Sequence, residues 1–176
     1  MDEYILDHIT TDNDIRADLF IPFTVTRLQK TTTTSPKALL TVQLENIENV
    51  DKSRELLVSW STDNIVGEKI PLQEHVITEW AAVGVACILV PLYTDLRILQ
   101  VTQAGDRFDY WVGSDEWENA LEISGTVERN LKNLHNVKVQ QLQRNPYRVD
   151  GYVAVIRFSS LDAIFSFNRH EGGGTK

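Results

Sequence analysis

Hydrophobic residues recur at helical spacing through the middle of the chain. They form a stripe of Leu72, Val76, Val83, Ala86 and Val90, which also includes the carboxylate Glu79. Positions three or four apart share one face of a helix. Pro71 suits a first helical position, and Pro91 is expected to end the helix because proline has no N–H to donate. The pattern therefore predicts a helix from about residue 71 to residue 90.

Glu79 is a carboxylate on this otherwise apolar stripe. Burying it is costly unless it is neutral, hydrogen-bonded or near a cation. The sequence leaves two interpretations open. Glu79 either belongs to a functional site or lies at the edge of the stripe and reaches solvent.

Three segments after this helix predict β-strands, at residues 96–102, 107–113 and 120–125. Apolar and polar residues alternate in the second and third of them, as in strands with one face buried. A hairpin with Asp109 opposite Glu122 leaves a four-residue loop from Ser114 to Trp117, which is a common length. The pairing predicts that both acids lie on one face of the sheet.

A second helix is predicted to follow, with Thr126 as its N-cap and its end before Asn145. Residues 152–156 are apolar on both faces, as in a strand covered by helices. Strand, helix and covered strand imply a parallel crossover.

The predicted fold is α/β, with a mixed central sheet of four to five strands flanked by helices. An αβββαβ core spans residues 71–168. Residues 1–70 form an N-terminal elaboration packed on this core, and residues 169–176 form a disordered tail. Within the elaboration, residues 19–25 predict an edge strand or an anchoring segment, because Pro22 cannot sit in a central strand. Residues 56–60 predict a further strand, and the whole chain forms one domain.

The charge is negative and unevenly distributed. The net charge of −8 argues against a protein that binds nucleic acid over its whole surface. Residues 127–176 nevertheless carry eight Lys or Arg against four Asp or Glu, so nucleic acid could bind through this basic C-terminal third. The alternative is that Arg129, Lys132 and Lys138 are solvated positions of an ordinary helix.

The single cysteine, Cys87, lies in the apolar helix and has no partner for a disulfide. This usage is typical of a protein in the reducing cytoplasm, where Cys87 would be a core residue. The apolar run from Trp80 to Val90 is too short to span a bilayer, so no membrane association is expected.

The predicted order of helix, three-strand meander, helix and strand, over roughly residues 71–160, resembles the core of the PD-(D/E)xK, or restriction-endonuclease-like, superfamily. The resemblance implies that Asp109 and Glu122 bind Mg²⁺ together with the backbone carbonyl of Ile123. It also implies that Glu79 is the acid supplied by the first helix. Mg²⁺ prefers such oxygen ligands, and a metal-bound water can attack a phosphodiester.

The sequence departs from the family at one motif position. The family's lysine, two residues after the glutamate, is replaced by Ser124, which cannot supply a cation. Either the lysine's role has moved, to Arg107, Arg129 or Lys132, or the site is degenerate. The candidate catalytic residues are therefore Asp109, Glu122, Glu79 and Ser124.

Two functions remain open. The first is a Mg²⁺-dependent nuclease of this type, or a degenerate relative, acting on nucleic acid phosphodiesters. The alternative is a non-catalytic acidic accessory protein that docks on a partner protein, and a homodimer is also compatible with the sequence. Phosphate chemistry on a small nucleotide is neither supported nor excluded.

Overall fold

The structure is a computed structural model that describes residues 1–31, 36–47, 52–65 and 69–172. These ranges contain eight strands: β1 (Asp2–Ile5), β2 (Lys37–Glu45), β3 (Ser53–Ser59), β4 (Arg97–Val101), β5 (Tyr110–Gly113), β6 (Asn119–Thr126), β7 (Gly151–Arg157) and β8 (Asp162–Asn168). They contain four α-helices: α1 (Ile9–Asp12), α2 (Ile21–Thr31), α3 (Glu74–Tyr93) and α4 (Leu131–Leu142). Short 3₁₀ turns at residues 6–8, 17–20 and 62–64 complete the described elements.

All eight strands form one mixed sheet in the order β1-β3-β2-β8-β7-β6-β5-β4. The α/β class is confirmed, but the predicted size of four to five strands is wrong. The strands that were not predicted are β1 and β2, from the segment predicted as an elaboration, and β8. They join the predicted core where β2 pairs in parallel with β8. The predicted strand at residues 56–60 corresponds to β3.

The predicted αβββαβ order is present as α3, β4, β5, β6, α4 and β7. Strands β4, β5 and β6 form an antiparallel meander, and β6 pairs in parallel with β7 through the α4 crossover. Consecutive residues of β7 pack on opposite faces of the sheet. Ala154 belongs to the hydrophobic cluster that includes α3, and Val155 belongs to the cluster that includes α4. Helices α3 and α4 therefore cover opposite faces of the sheet.

Helix α3 continues through Pro91, whereas the sequence predicted that it would end before this residue. A residue at position 91 would normally donate its N–H to the carbonyl of Cys87. The side chain of Asn13 donates to that carbonyl instead, at 2.9 Å. The group that Pro91 leaves without a donor is thus satisfied, and the helix ends only at Tyr93.

Three other boundaries differ from prediction. Helix α3 begins at Glu74, after the N-cap Gln73, and not at Pro71. Residues 21–25 belong to helix α2 and not to an edge strand, because Pro22 lies in the first turn, where a missing N–H costs little. Helix α4 begins at Leu131, since the side chain of Asn130 accepts the N–H of Asn133 at 2.9 Å. The predicted cap, Thr126, instead closes the preceding turn by accepting the N–H of Arg129 at 3.1 Å.

Helix α3 is long and apolar enough to cross a membrane by length and composition alone. However, 72% of its most apolar window is buried inside the protein. It packs against α2 on one side and the sheet on the other. Cys87 is free and fully buried, as predicted for a core residue. The apolar character of α3 is therefore accounted for by the core that it fills.

The C-terminal segment is only partly described. The N–H of His170 donates to Asp150 at 2.7 Å, and the N–H of Glu171 donates to the side chain of Gln143 at 3.0 Å. Residues 173–176 of the predicted tail lie outside the described residues.

Candidate functional site

The site lies on the edge of β6, where β5 has separated from it. The two strands pair in the predicted register, with Tyr110 opposite Leu121 and Trp111 opposite Ala120. Strand β5 begins only at Tyr110, because Arg107 has a left-handed backbone with φ of 64° and breaks the predicted strand. Among the described residues, no strand therefore lies beside the second half of β6 on this edge.

Two carboxylates accept the backbone N–H groups along this edge. The Oδ2 atom of Asp109 accepts the N–H of Ile123 at 2.7 Å. The Oε2 atom of Glu79 accepts the N–H of Gly125 at 3.2 Å. The carbonyl of Ile123 projects towards the same edge as its N–H, since both groups of a strand residue point to one side. Asp109 and Glu79 thus take the place of a neighbouring strand.

Asp109 lies at a local irregularity before β5. Its N–H donates to the carbonyl of Leu121 at 2.9 Å, although Leu121 is paired with Tyr110. Two residues on one strand thus oppose a single residue on the other, as in a β-bulge. Burial raises the pKa of Asp109, and the hydrogen bond from Ile123 partly offsets this effect.

Glu122 is buried beneath α4. Its side chain is 1% exposed, and its Oε1 atom accepts a hydrogen bond from Lys138 Nζ at 2.6 Å. Burial, followed by the nearby charge of Asp109, raises the pKa of Glu122 to about 7, although Lys138 acts in the opposite direction. The Oε2 atom is buried and has no hydrogen-bond partner among the described residues.

Asp109 and Glu122 are close to each other, as the confirmed register implies, because the charge of Asp109 is the largest cause after burial that raises the pKa of Glu122. The carboxylate of Asp109 accepts the N–H of Ile123 at the strand edge, whereas the carboxylate of Glu122 accepts from Lys138 of α4. Each carboxylate still lies close enough to Glu79 for the Glu79 charge to raise its pKa. The three predicted acids are thus brought together around the end of β6.

Glu79 and Ser124 contact each other directly. The hydroxyl of Ser124 donates to Glu79 Oε1 at 3.2 Å. Glu79 is exposed at the edge of α3, as one of the two interpretations of its stripe predicted, while Ser124 is buried. Ser124 thus holds the Glu79 carboxylate in place.

Lys138 is the cation of the site, whereas the sequence predicted it only as part of a basic region or as a solvated helix position. Of the three cations proposed for this role, Lys132 pairs with Glu45 at 2.7 Å, and Arg107 lines a separate cleft on the α4 side. Lys138 shares an inward stripe of α4 with Leu131, Leu134 and Leu142. A lone cation on an apolar stripe of a helix is a sequence pattern of the same kind as the lone carboxylate Glu79 on the stripe of α3. This pattern could have identified Lys138 as a site residue.

We call Glu79, Asp109, Glu122 and Lys138 the acidic site. The atoms that could bind a metal here are the carboxylate oxygens of the acidic site and the neighbouring backbone carbonyl of Ile123. Mg²⁺ prefers such oxygen ligands. The unpartnered Oε2 atom of Glu122 fits such an ion, because a buried oxygen without a donor is costly. Within the described ranges, no group of three or more His, Cys, Asp or Glu side chains meets the criteria for a metal centre. The Mg²⁺ ligands named from the sequence therefore stay a prediction.

Two further cavities lie near the sheet. A groove of about 540 Å³ on the α3 face includes Glu79 and Asp109, and Trp80 and Val101 form part of its wall. Another cavity, of about 580 Å³, lies at the opposite end of β6 beside Asn119 and contains none of the predicted site residues.

Comparison of the chain with family models, with curated proteins and with solved structures gives no match. The resemblance to the PD-(D/E)xK core accordingly stays a prediction that depends on the residues themselves.

Proposed function

We propose that the chain is a metal-dependent nuclease of the PD-(D/E)xK type, or a degenerate relative, acting on nucleic acid phosphodiesters. The observation that supports this proposal most strongly is the 2.6 Å contact between Lys138 and the buried Glu122. The motif lysine is absent at Ser124, and helix α4 supplies a cation to the motif glutamate. An active site with a relocated lysine would have this arrangement.

Asp109, Glu122 and the carbonyl of Ile123 would hold the ion. A bound divalent ion supplies an activated water and offsets charge that develops on the phosphate. Lys138 orients Glu122 and favours its ionised form. Glu79 presents an exposed carboxylate that Ser124 holds in place, and it can accept a proton at this edge. With a single free cysteine, the protein is expected in the cytoplasm.

Cleavage assays test the proposal. Single-stranded and duplex DNA and RNA are incubated with the protein and Mg²⁺ or Mn²⁺. We expect Glu122→Ala and Lys138→Ala to lose cutting by about a hundredfold or more, since each removes a charge at the reacting phosphate. Lys132→Ala is the matched control, because Lys132 is a solvated lysine of the same helix paired with Glu45. Equal activity in Lys138→Ala and wild type would contradict the role of Lys138.

The second candidate is a non-catalytic acidic protein that docks on a partner protein. It is favoured by the fact that all three acids already accept hydrogen bonds from the chain, from Lys138, Ser124 and backbone N–H groups. Intact nucleic acid in every assay, together with equal heats of Mn²⁺ titration for wild type and Asp109→Ala, would support this function over the nuclease.

A further inference from the structure

A cleft of about 360 Å³ lies on the α4 side of the molecule. It is lined by Arg107, Val137, Gln140, Gln141 and Arg144, which we call the cationic cleft. The four lining residues from α4 and its C-terminal end are spaced three, four and seven positions from Val137, so they form one face of the helix. Arg107, from the connection between β4 and β5, also lines the cleft.

The cleft has two cations and no carboxylate among its lining residues. Both arginines are exposed, and neither guanidinium has a hydrogen-bond or ion-pair partner among the described residues. Arg157, by contrast, makes a two-bond pair with Asp162 at 2.6 and 2.9 Å. A guanidinium offers a planar fork of donors that matches phosphate oxygens. Arg107 and Arg144 therefore present unused donors to an anion.

The backbone at Arg107 supports a role for its side chain. Its φ of 64° lies in the left-handed region, which glycine adopts at little cost and a long side chain adopts at some cost. Glycine would adopt this backbone at lower steric cost than arginine. What the arginine adds is a cation at the rim of the cleft.

The cleft is connected to the acidic site through side-chain contacts. Lys138 Nζ donates to the side chain of Gln141, which lines the cleft, at 3.3 Å, and the same Nζ atom donates to Glu122 at 2.6 Å. Arg107 also lies two residues before Asp109 in the chain. An anion in the cleft would thus lie next to the acids without meeting a carboxylate in the cleft itself.

We propose that the cationic cleft binds the phosphate backbone of a nucleic acid strand. The proposal rests on the nuclease function above, because it assigns the cleft to the strand that crosses the acidic site. The glutamine amides supply further hydrogen bonds, and exposed Val137 supplies apolar contact for a sugar. In a chain with a net charge of −8, binding must concentrate where cations lack partners.

Fluorescence anisotropy on the full chain tests this binding. A labelled single-stranded DNA oligonucleotide is titrated at salt concentrations from about 50 to 200 mM, with chelator present so that no cleavage occurs. The variants are Arg144→Ala, Arg107→Gly and the double variant. We expect the double variant to bind about tenfold more weakly or worse, and each single variant to lower the salt-dependence slope by about one. Arg107→Gly should lose affinity without a fall in melting temperature.

Arg129→Ala is the matched control, because Arg129 is exposed, lies before α4 and does not line the cleft. Wild-type affinity and salt slope in the double variant would overturn the proposal, as would an equal loss in Arg129→Ala. The result is independent of catalysis. If the cleft variants weaken binding but the wild type does not cut nucleic acid with metal, only the nuclease function is refuted. If the wild type cuts nucleic acid and the cleft variants bind as tightly as wild type, only the role of the cleft is refuted.

Discussion

At the scale of single residues, the decisive group is Glu122. Its carboxyl is buried, beside Asp109 and under Lys138, and its pKa rises from 4.5 to about 7. Between pH 4.5 and about 7, Glu122 is therefore mostly protonated in the folded protein and mostly ionised in the unfolded chain. Stability from this group is present below pH 4.5 and is lost as the pH rises through about 7.

Glu122→Gln tests the cost of burying the ionised carboxylate, because glutamine has nearly the same size as glutamate. Glutamine imitates the protonated acid, so the variant should match wild type near pH 4.5. It should be more stable than wild type at pH 8 by up to roughly 3 kcal/mol. Urea denaturation at several pH values, in the absence of divalent ions, measures the difference. A wild-type excess of stability at pH 8 would show that the Lys138 ion pair outweighs the cost of burying the charge.

The sequence could identify the acids but not all of their geometry. Alternation along two strands predicted the β5–β6 register, and this register brings Asp109 and Glu122 together. The bulge at Asp109 could not be predicted, because it depends on the left-handed backbone at Arg107. Lys138 was predicted only as a solvated cation or part of a basic patch, since its contact with Glu122 forms across the crossover.

At the scale of secondary-structure elements, the acidic site depends on the close approach of α3 to β6. Gly125 makes this approach possible. A Cβ atom added there would lie 2.5 Å from the backbone oxygen of Thr78 and 3.0 Å from Ala82 Cβ. Because the nearer atom belongs to helical backbone, it cannot rotate away, and α3 must shift.

Gly125→Ala should therefore destabilise the protein by roughly 1–3 kcal/mol, the range expected for overpacking. It should also loosen the bond between Glu79 and the N–H of Gly125, so any activity at the site should fall with stability. Urea denaturation measures the first effect and the cleavage assay the second. Gly172→Ala, in an exposed segment, is the control and should change stability by less than about 0.5 kcal/mol. Wild-type stability in Gly125→Ala would mean that α3 lies farther from β6.

Element boundaries were predictable where local pattern determines them and not where a distant group does. The covered strand β7 and the crossover followed from apolar residues on both faces. The end of α3 did not, because Asn13 satisfies the carbonyl that Pro91 leaves free from a position far away in the chain. Helix α2 was mistaken for a strand because Pro22 is compatible with a strand edge and a helix start alike.

At the scale of the whole molecule, the N-terminal segment is part of the sheet that carries the site. Strand β2 pairs with β8 from Thr41–Asp162 to Glu45–Ser166. Such a parallel pairing between distant segments leaves no local sequence signal, which is why a smaller sheet was predicted. Helix α2 packs on α3, and the buried Arg27 donates to the carbonyl of Glu74 at 2.7 Å. The helix that carries Glu79 is thus held from both sides.

A fragment that begins at residue 69 tests whether the predicted core is independent. Without β1–β3 and α2, the edge of β8 loses its partner, and the face of α3 that α2 covers is exposed to water. We expect this fragment to lack a cooperative unfolding transition and to aggregate, since unpaired edges and large apolar surfaces promote association. Circular dichroism during urea titration and size-exclusion chromatography measure both properties, with the full chain as control. A soluble monomeric fragment that unfolds cooperatively would show instead that residues 1–68 are an elaboration on a self-sufficient core, and that the acidic site does not depend on them.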